Sequence, residues 1–179
     1  MARKEILYSR YEIRDRIRIM AKDIAYDYRG QKIQMIAVVN GAVMVAADLM
    51  RTLWDLGFMD IEFDTVKVSS YGQNFQSSGQ PDIIKDIRLD IRDQHVLIVE
   101  DIVDTGLTLN AMREYLLEKG PASLEIVALV RKPLSVRKID INVKYLGFEI
   151  EDVWVEGYGI DSAEQGRANP NIMQVIQDG

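Results

Sequence analysis

Cysteine is missing from the 179 residues altogether, histidine occurs once, and proline only four times. Without cysteine there is no disulfide framework and no thiolate metal site, and the chain fits a reducing compartment. His95 has no second histidine with which to share a metal, so it reads as structural or solvent-facing. The low Pro and Gly content, set against 47% hydrophobic residues, excludes a linker or a disordered tail. Apolar runs are broken by Asp, Arg or Asn well short of the ~20 residues that span a bilayer. The start, "MARKEILYSRYEIRDR", lacks a signal-peptide apolar stretch, so a cytoplasmic protein with no membrane partner is expected. An excess of basic residues is missing too: the formal charge is −6. That disfavours a broad nucleic-acid surface. It leaves room for a small polyanion that arrives with its own magnesium.

What is present reads as one α/β domain over residues 1–179. No repeat or low-complexity tract divides it. Ser9 and Glu12 have capping-box spacing, and Ile13, Ile17, Met20 and Ile24 follow at helical intervals up to Gly30. "QMIAVVNG" reads as a buried strand ending in a glycine turn, and "AVMVAADLMRTLWDLG" as a helix closed by Gly57. "MDIEFDTVKVSSYG" alternates like a strand. "QNFQSSGQPD" is polar, aperiodic and glycine-bearing, as loops are. "DIIKDIRLDI" predicts a strand and a turn, "HVLIVEDI" a buried strand, "LTLNAMREYLLEKG" an amphipathic helix ending at Gly120, and "SLEIVALVRKP" a strand. "VKYLGFEI" and "VWVEGYGI" predict two more. Short apolar strands alternating with helices imply a mostly parallel sheet covered on both faces. Ligands then bind at the carboxyl ends of the strands.

Chemistry concentrates after one of those strands, in "HVLIVEDIVDTGLTL". Glu100 and Asp101 offer carboxylates to a cation. Asp104-Thr105-Gly106-Leu107-Thr108 lies where the strand stops and a helix begins, so backbone N–H groups and the positive end of the helix dipole face outward as an anion cradle. Gly106 permits close backbone approach, and the hydroxyls of Thr105 and Thr108 can donate to phosphate oxygens. Neither GxxxxGK[ST] nor a strand-borne GxGxxG occurs. The competing reading is structural: Asp104 simply caps the helix. A phosphoacceptor receiver domain is disfavoured, because "VLIVED" lies past the midpoint and Ile102 stands where an acid belongs.

The run "VLIVEDIVDTGLTL" resembles the phosphoribosyl pyrophosphate (PRPP) motif of type I phosphoribosyltransferases. The resemblance implies the fold of that family, a central sheet flanked by helices with a small hood, from about 150–179 with N-terminal contributions, and a mobile lid at about 69–82. It implies that the turn binds the 5-phosphate of PRPP, while Glu100 and Asp101 bind the ribose hydroxyls that also hold Mg2+. Cation and phosphate thereby belong to one ligand.

The segment "LVRKPLSVRKIDINVKYLGFEIEDVWVEGYGIDSAEQGR" is similar to the 6-oxopurine members, the hypoxanthine and hypoxanthine-guanine phosphoribosyltransferases, and the similarity extends upstream through "VSSYG" and "VVNGAVMVAADL". By this resemblance Lys132 donates to O6 of hypoxanthine or guanine, Trp154 stacks on the purine, and Val155 offers backbone groups to its edge. Asp161 lies near the purine and a second magnesium. Asn40, Gly41 and Arg167 bind pyrophosphate. Ser69, Ser70, Tyr71 and Gly72 form the base of the lid. The bland alternatives are a surface lysine, a core tryptophan and a solvated arginine. Asn40 departs from the Lys or Arg often found before this glycine, which shifts pyrophosphate binding towards backbone amides, magnesium and Arg167. A cis peptide at Val39-Asn40 is also implied. Asp104 becomes the candidate general base, taking the N7 proton as ribose 5-phosphate moves to N9, with IMP or GMP and pyrophosphate as products. A xanthine-preferring relative and a non-catalytic PRPP-sensing regulator are the alternatives. The family forms dimers and tetramers, so a homodimer or homotetramer is expected.

Overall fold

The computed structural model describes residues 3–68 and 83–176. The expected lid, including Ser69, Ser70, Tyr71 and Gly72, lies outside the described residues. Local chemistry explains the first helix: in α1 (Arg10–Asp27) Ser9 and Glu12 close both halves of the capping box, and Ile13, Ile17, Met20, Ala21 and Ile24 form its buried stripe. The remaining elements along the chain are β1 (Arg3–Tyr8), β2 (Ile33–Val38), α2 (Val43–Asp55), β3 (Ile61–Val68), β4 (Ile83–Lys85), β5 (His95–Val103), α3 (Leu107–Leu117), β6 (Ser123–Arg131), β7 (Tyr145–Glu149), β8 (Trp154–Glu156) and β9 (Ile172–Ile176).

The larger sheet has the order β4-β3-β2-β5-β6-β7. Its pairs are parallel except for the short β4, which runs antiparallel to β3. Alternate residues feed two apolar layers. Met35, Ala37, Leu97, Val99, Val127 and Leu129 pack with α1 and α2, while Ile36, Val96, Ile98, Ile126 and Ala128 pack with Leu109, Met112 and Leu116 of α3. A strand buried on both faces reads as a continuous apolar run for this reason. His95 is a structural residue: its Nδ1 lies 2.8 Å from Ser123 Oγ, and its ring meets the edge of Tyr28.

The last expected strand leaves this sheet. β8 joins β9 and β1 in a separate antiparallel sheet of order β1-β9-β8, so the two ends of the described chain are paired, Arg3 opposite Ile176. What positions the site is the order of the larger sheet. From β2 the chain crosses by α2 to β3 on one side, and from β5 it crosses by α3 to β6 on the other. The carboxyl ends of β2 and β5 therefore flank the point where the winding reverses, the place where an open α/β sheet leaves a crevice.

Candidate active site

A cleft of about 440 Å³ opens at that point, lined by Asn40, Gly41, Glu100, Asp101, Asp104, Thr105, Gly106, Thr108, Asp161 and Arg167 among others. Both helices that start there lack a side-chain cap: α2 begins after Ala42 and α3 after Gly106. Apart from Val43 N, which reaches Asn40 O at 3.5 Å, and Leu107 N, which reaches Thr105 Oγ1 at 3.4 Å, their first-turn N–H groups are left for a ligand, with the positive ends of two helix dipoles beside the same cleft. Asp104 does not cap the helix: the cap position belongs to Gly106, and the side chain that reaches the first turn is that of Thr105.

Gly106 adopts φ +80°, and a Cβ on it would lie 2.6 Å from the carbonyl oxygen of Ile139. The turn is pinned from the same side, where the amides of Lys138 and Ile139 donate to Thr105 O at 2.9 and 3.2 Å. Thr105 Oγ1 accepts from Leu107 N at 3.4 Å, which leaves its proton for an anion.

The turn after β2 is equally tight. The Val39-Asn40 peptide is cis. A Cβ on Gly41 would sit 1.7 Å from Asp101 Oδ2, so the Asp101 carboxylate packs directly on this glycine. Asp101 is buried, and its Oδ1 accepts the amide of Ile102 at 2.8 Å. Burial, followed by the neighbouring charge of Asp101, pushes the Glu100 carboxyl well above the usual carboxylate range. Gly159 then stacks under the same turn, its missing Cβ leaving room for Gly41 O.

Arg167 is not a solvated loop charge. Its Nη1 donates to Gly159 O at 2.8 Å and its Nη2 pairs with Asp161 Oδ1 at 2.7 Å, with Glu164 Oε2 further off at 3.8 Å. The expected pyrophosphate and magnesium residues therefore meet each other in the cleft wall.

Among the described residues, four of those expected at the site do not line this cleft: Leu107, Lys132, Trp154 and Val155. Lys132 remains connected to it, with Nζ 3.3 Å from Asp104 Oδ1. At 13% side-chain exposure it is no surface lysine. Trp154 is not a core residue either: it is 56% exposed, its Nε1 donating to Ser162 Oγ at 3.2 Å. Val155 is buried in β8, an edge strand. Sequence reading missed Lys67, next to the last residue of β3, and Glu164, both of which line the cleft. A lysine in an alternating strand and a glutamate in a polar loop carry no local signal; only the strand order places Lys67 beside β2.

Among the described residues no three metal-ligating side chains converge. Glu100, Asp101 and Asp161 nevertheless share the cleft. Magnesium characteristically takes one or two protein carboxylates and completes its shell with phosphate oxygens and water, so this donor set fits an ion that arrives on a diphosphate.

A family profile described as the phosphoribosyl transferase domain matches residues 4–163. A hypoxanthine-guanine phosphoribosyltransferase of Dictyostelium discoideum is 34% identical over 98% of this chain and 97% of its own length. One of Aquifex aeolicus is 38% identical over 96% and 94%. The crystal structure of a hypoxanthine-guanine phosphoribosyltransferase from Bacillus anthracis superposes with a TM-score of 0.87 at 35% identity, covering 96% of this chain and 98% of that one. Similarity along nearly the whole length accompanies a parallel sheet that opens two uncapped helix starts onto one cleft, and the chain belongs to the phosphoribosyl transferase domain family.

Proposed function

We propose that the protein transfers the 5-phosphoribosyl group of PRPP to N9 of a 6-oxopurine, hypoxanthine and also guanine, giving IMP or GMP and pyrophosphate. The observation that carries this reading is the pair of uncapped helix starts at the sheet's reversal point, with Glu100 and Asp101 between them. PRPP has a phosphate at one end and a diphosphate at the other, joined by a diol, and this cleft offers an anion cradle at each side and acids in the middle. The α3 turn takes the 5-phosphate. The α2 turn, with Asn40, Gly41 and Arg167, takes the diphosphate.

In the reaction the bond from ribose C1 to the pyrophosphate oxygen breaks, the bond to N9 forms, and the N7 proton passes to Asp104. Asp104 is exposed at the cleft edge and caps no helix; its Oδ1 pairs with Lys132, and its carboxylate is the group placed to accept that proton. Lys132 beside it donates to O6, and Trp154 supplies an exposed ring for the purine face. Mg2+ would be held by Glu100 and Asp101, with Asp161 as the second site, and when bound it neutralises the departing diphosphate.

Homo-oligomerisation and a cytoplasmic location complete the reading. The stretch from the end of α2 into β3 leaves Trp54, Leu56, Met59 and Phe63 exposed, apolar surface of the kind that a second copy covers. No described helix is long and apolar enough to cross a membrane.

The test is an assay of PRPP and Mg2+ with hypoxanthine, guanine, xanthine and uracil in turn, following nucleotide and pyrophosphate. Hypoxanthine and guanine are expected to give the highest kcat/KM; xanthine as the best base corrects the specificity, and no nucleotide from any base refutes the reaction. Chelating the magnesium is expected to abolish turnover. Asp104→Asn should lower kcat by roughly 10²–10⁴-fold with a smaller effect on PRPP affinity. An unchanged kcat removes Asp104 from the role.

A further inference from the structure

Lys132 leaves the end of β6 with its amide donating to Val103 O at 2.9 Å, which ties its backbone to the end of β5. Its side chain is largely buried, so the ammonium depends on the groups that the protein places beside it. There are two. Asp104 Oδ1 and Asp152 Oδ1 each lie 3.3 Å from Nζ. The contact with Asp152 is a hydrogen bond donated by Nζ, and the contact with Asp104 is an ion pair. Asp152 lies outside the PRPP motif, in the link between β7 and β8. That link is anchored to the end of β6, because Ile150 N donates to Arg131 O at 3.0 Å. Asp152 is thus rooted beside the residue before Lys132 and stands two residues ahead of Trp154.

We infer that Asp152 is a positioning residue for Lys132, sharing its ammonium with Asp104 so that it stays available to the purine O6. The inference rests on the 6-oxopurine transfer proposed above. A lysine between two carboxylates is shared, whereas a lysine beside one is captured by it. Capture by Asp104 would do double harm: it would cover the oxygen that accepts the N7 proton, and it would commit the donor that reads O6. Asp152 prevents this by accepting a hydrogen bond from the same ammonium at 3.3 Å. An ammonium has three N–H groups, so after serving Asp152 it keeps donors for the base.

The side chain of Asp152 is 57% exposed, and replacing it leaves no buried cavity. In Asp152→Asn the dissociation constant of IMP, measured by calorimetry, should rise about tenfold, within the range of pairwise coupling between touching groups. The KM for hypoxanthine should rise by a similar factor, while the KM for PRPP stays within about twofold. Asp152→Glu should restore most of the loss, and it also serves if the Asn variant does not fold. The decisive arm is the background Lys132→Met, which has no ammonium to place: there Asp152→Asn should cost no further IMP affinity. Unchanged IMP affinity in Asp152→Asn, or an equal loss in both backgrounds, overturns the inference while leaving the reaction intact. A wild-type protein that makes no nucleotide from any 6-oxopurine overturns both.

Discussion

Gly106 combines two demands that no other residue meets at once: a left-handed backbone, and no atom where Cβ would strike Ile139 O. Gly106→Ala should therefore cost about 1–3 kcal/mol in urea unfolding and weaken PRPP binding as well, because the same turn forms the cradle. Full retention of both would show that the turn can shift aside. Trp154 has the opposite character. Exposed as it is, Trp154→Ala should leave the melting temperature nearly unchanged and raise the KM for the purine, since stacking on an aromatic is worth about 1–3 kcal/mol per base. A lowered melting temperature with an unaltered KM would return Trp154 to a structural role. At this scale legibility depended on contiguity. Residues 100–108 stand together in the chain, so their joint chemistry could be read. Lys67, Asp152 and Glu164 reach the site, or a residue of the site, only through the fold, and nothing around them in the chain distinguishes them from ordinary surface charges.

Helix α1 takes its start from Ser9, whose hydroxyl oxygen accepts from Glu12 N while Glu12 reaches back to the Ser9 amide. Ser9→Ala should cost about 0.5–2 kcal/mol, seen as a fall of a few degrees in melting temperature. Strand β3 carries a different device. Burial alone would raise the Asp64 carboxyl, but the amides of Arg88, Thr65 and Leu89 and the ammonium of Lys85 outweigh it and hold the pKa down to about 2 from 3.8. A carboxylate depressed on folding adds stability that is complete above pH 4 and is lost as pH falls through about 2. The shift corresponds to about 2 kcal/mol. Urea unfolding between pH 2 and 5 should show a shallower pH dependence in Asp64→Asn than in the wild type; parallel curves would mean that the amides do not act through this charge. The long elements were legible because their periodicity is strong: apolar stripes in the helices, continuous apolar runs in strands buried on both faces. β1 and β9 were not. "RKEILY" is largely exposed, and its partner "IMQVI" lies at the far end of the chain, so neither carries the pattern of a buried strand.

Across the whole molecule, one sheet of parallel strands sets the crevice and a second, smaller sheet carries Trp154. If the exposed α2–β3 surface is covered by a second copy, light scattering should give a mass of at least twice the 20.4 kDa chain, and a charge placed at Phe63 should halve it. A wild-type mass equal to one chain would exclude this assembly. The smaller sheet also bears on the order of events at the ribosome. Its middle strand, β9, is synthesised after every other element, and both β1 and β8 pair only with it. The parallel layers can close earlier, since domains begin to fold from the end made first. β1 must therefore wait, with its backbone unpaired, through nearly the whole of translation. A nascent chain arrested just before Ile172 should already protect β2 and β5 from hydrogen exchange while leaving β1 unprotected, and the strand bearing Trp154 should gain its protection only when β9 emerges.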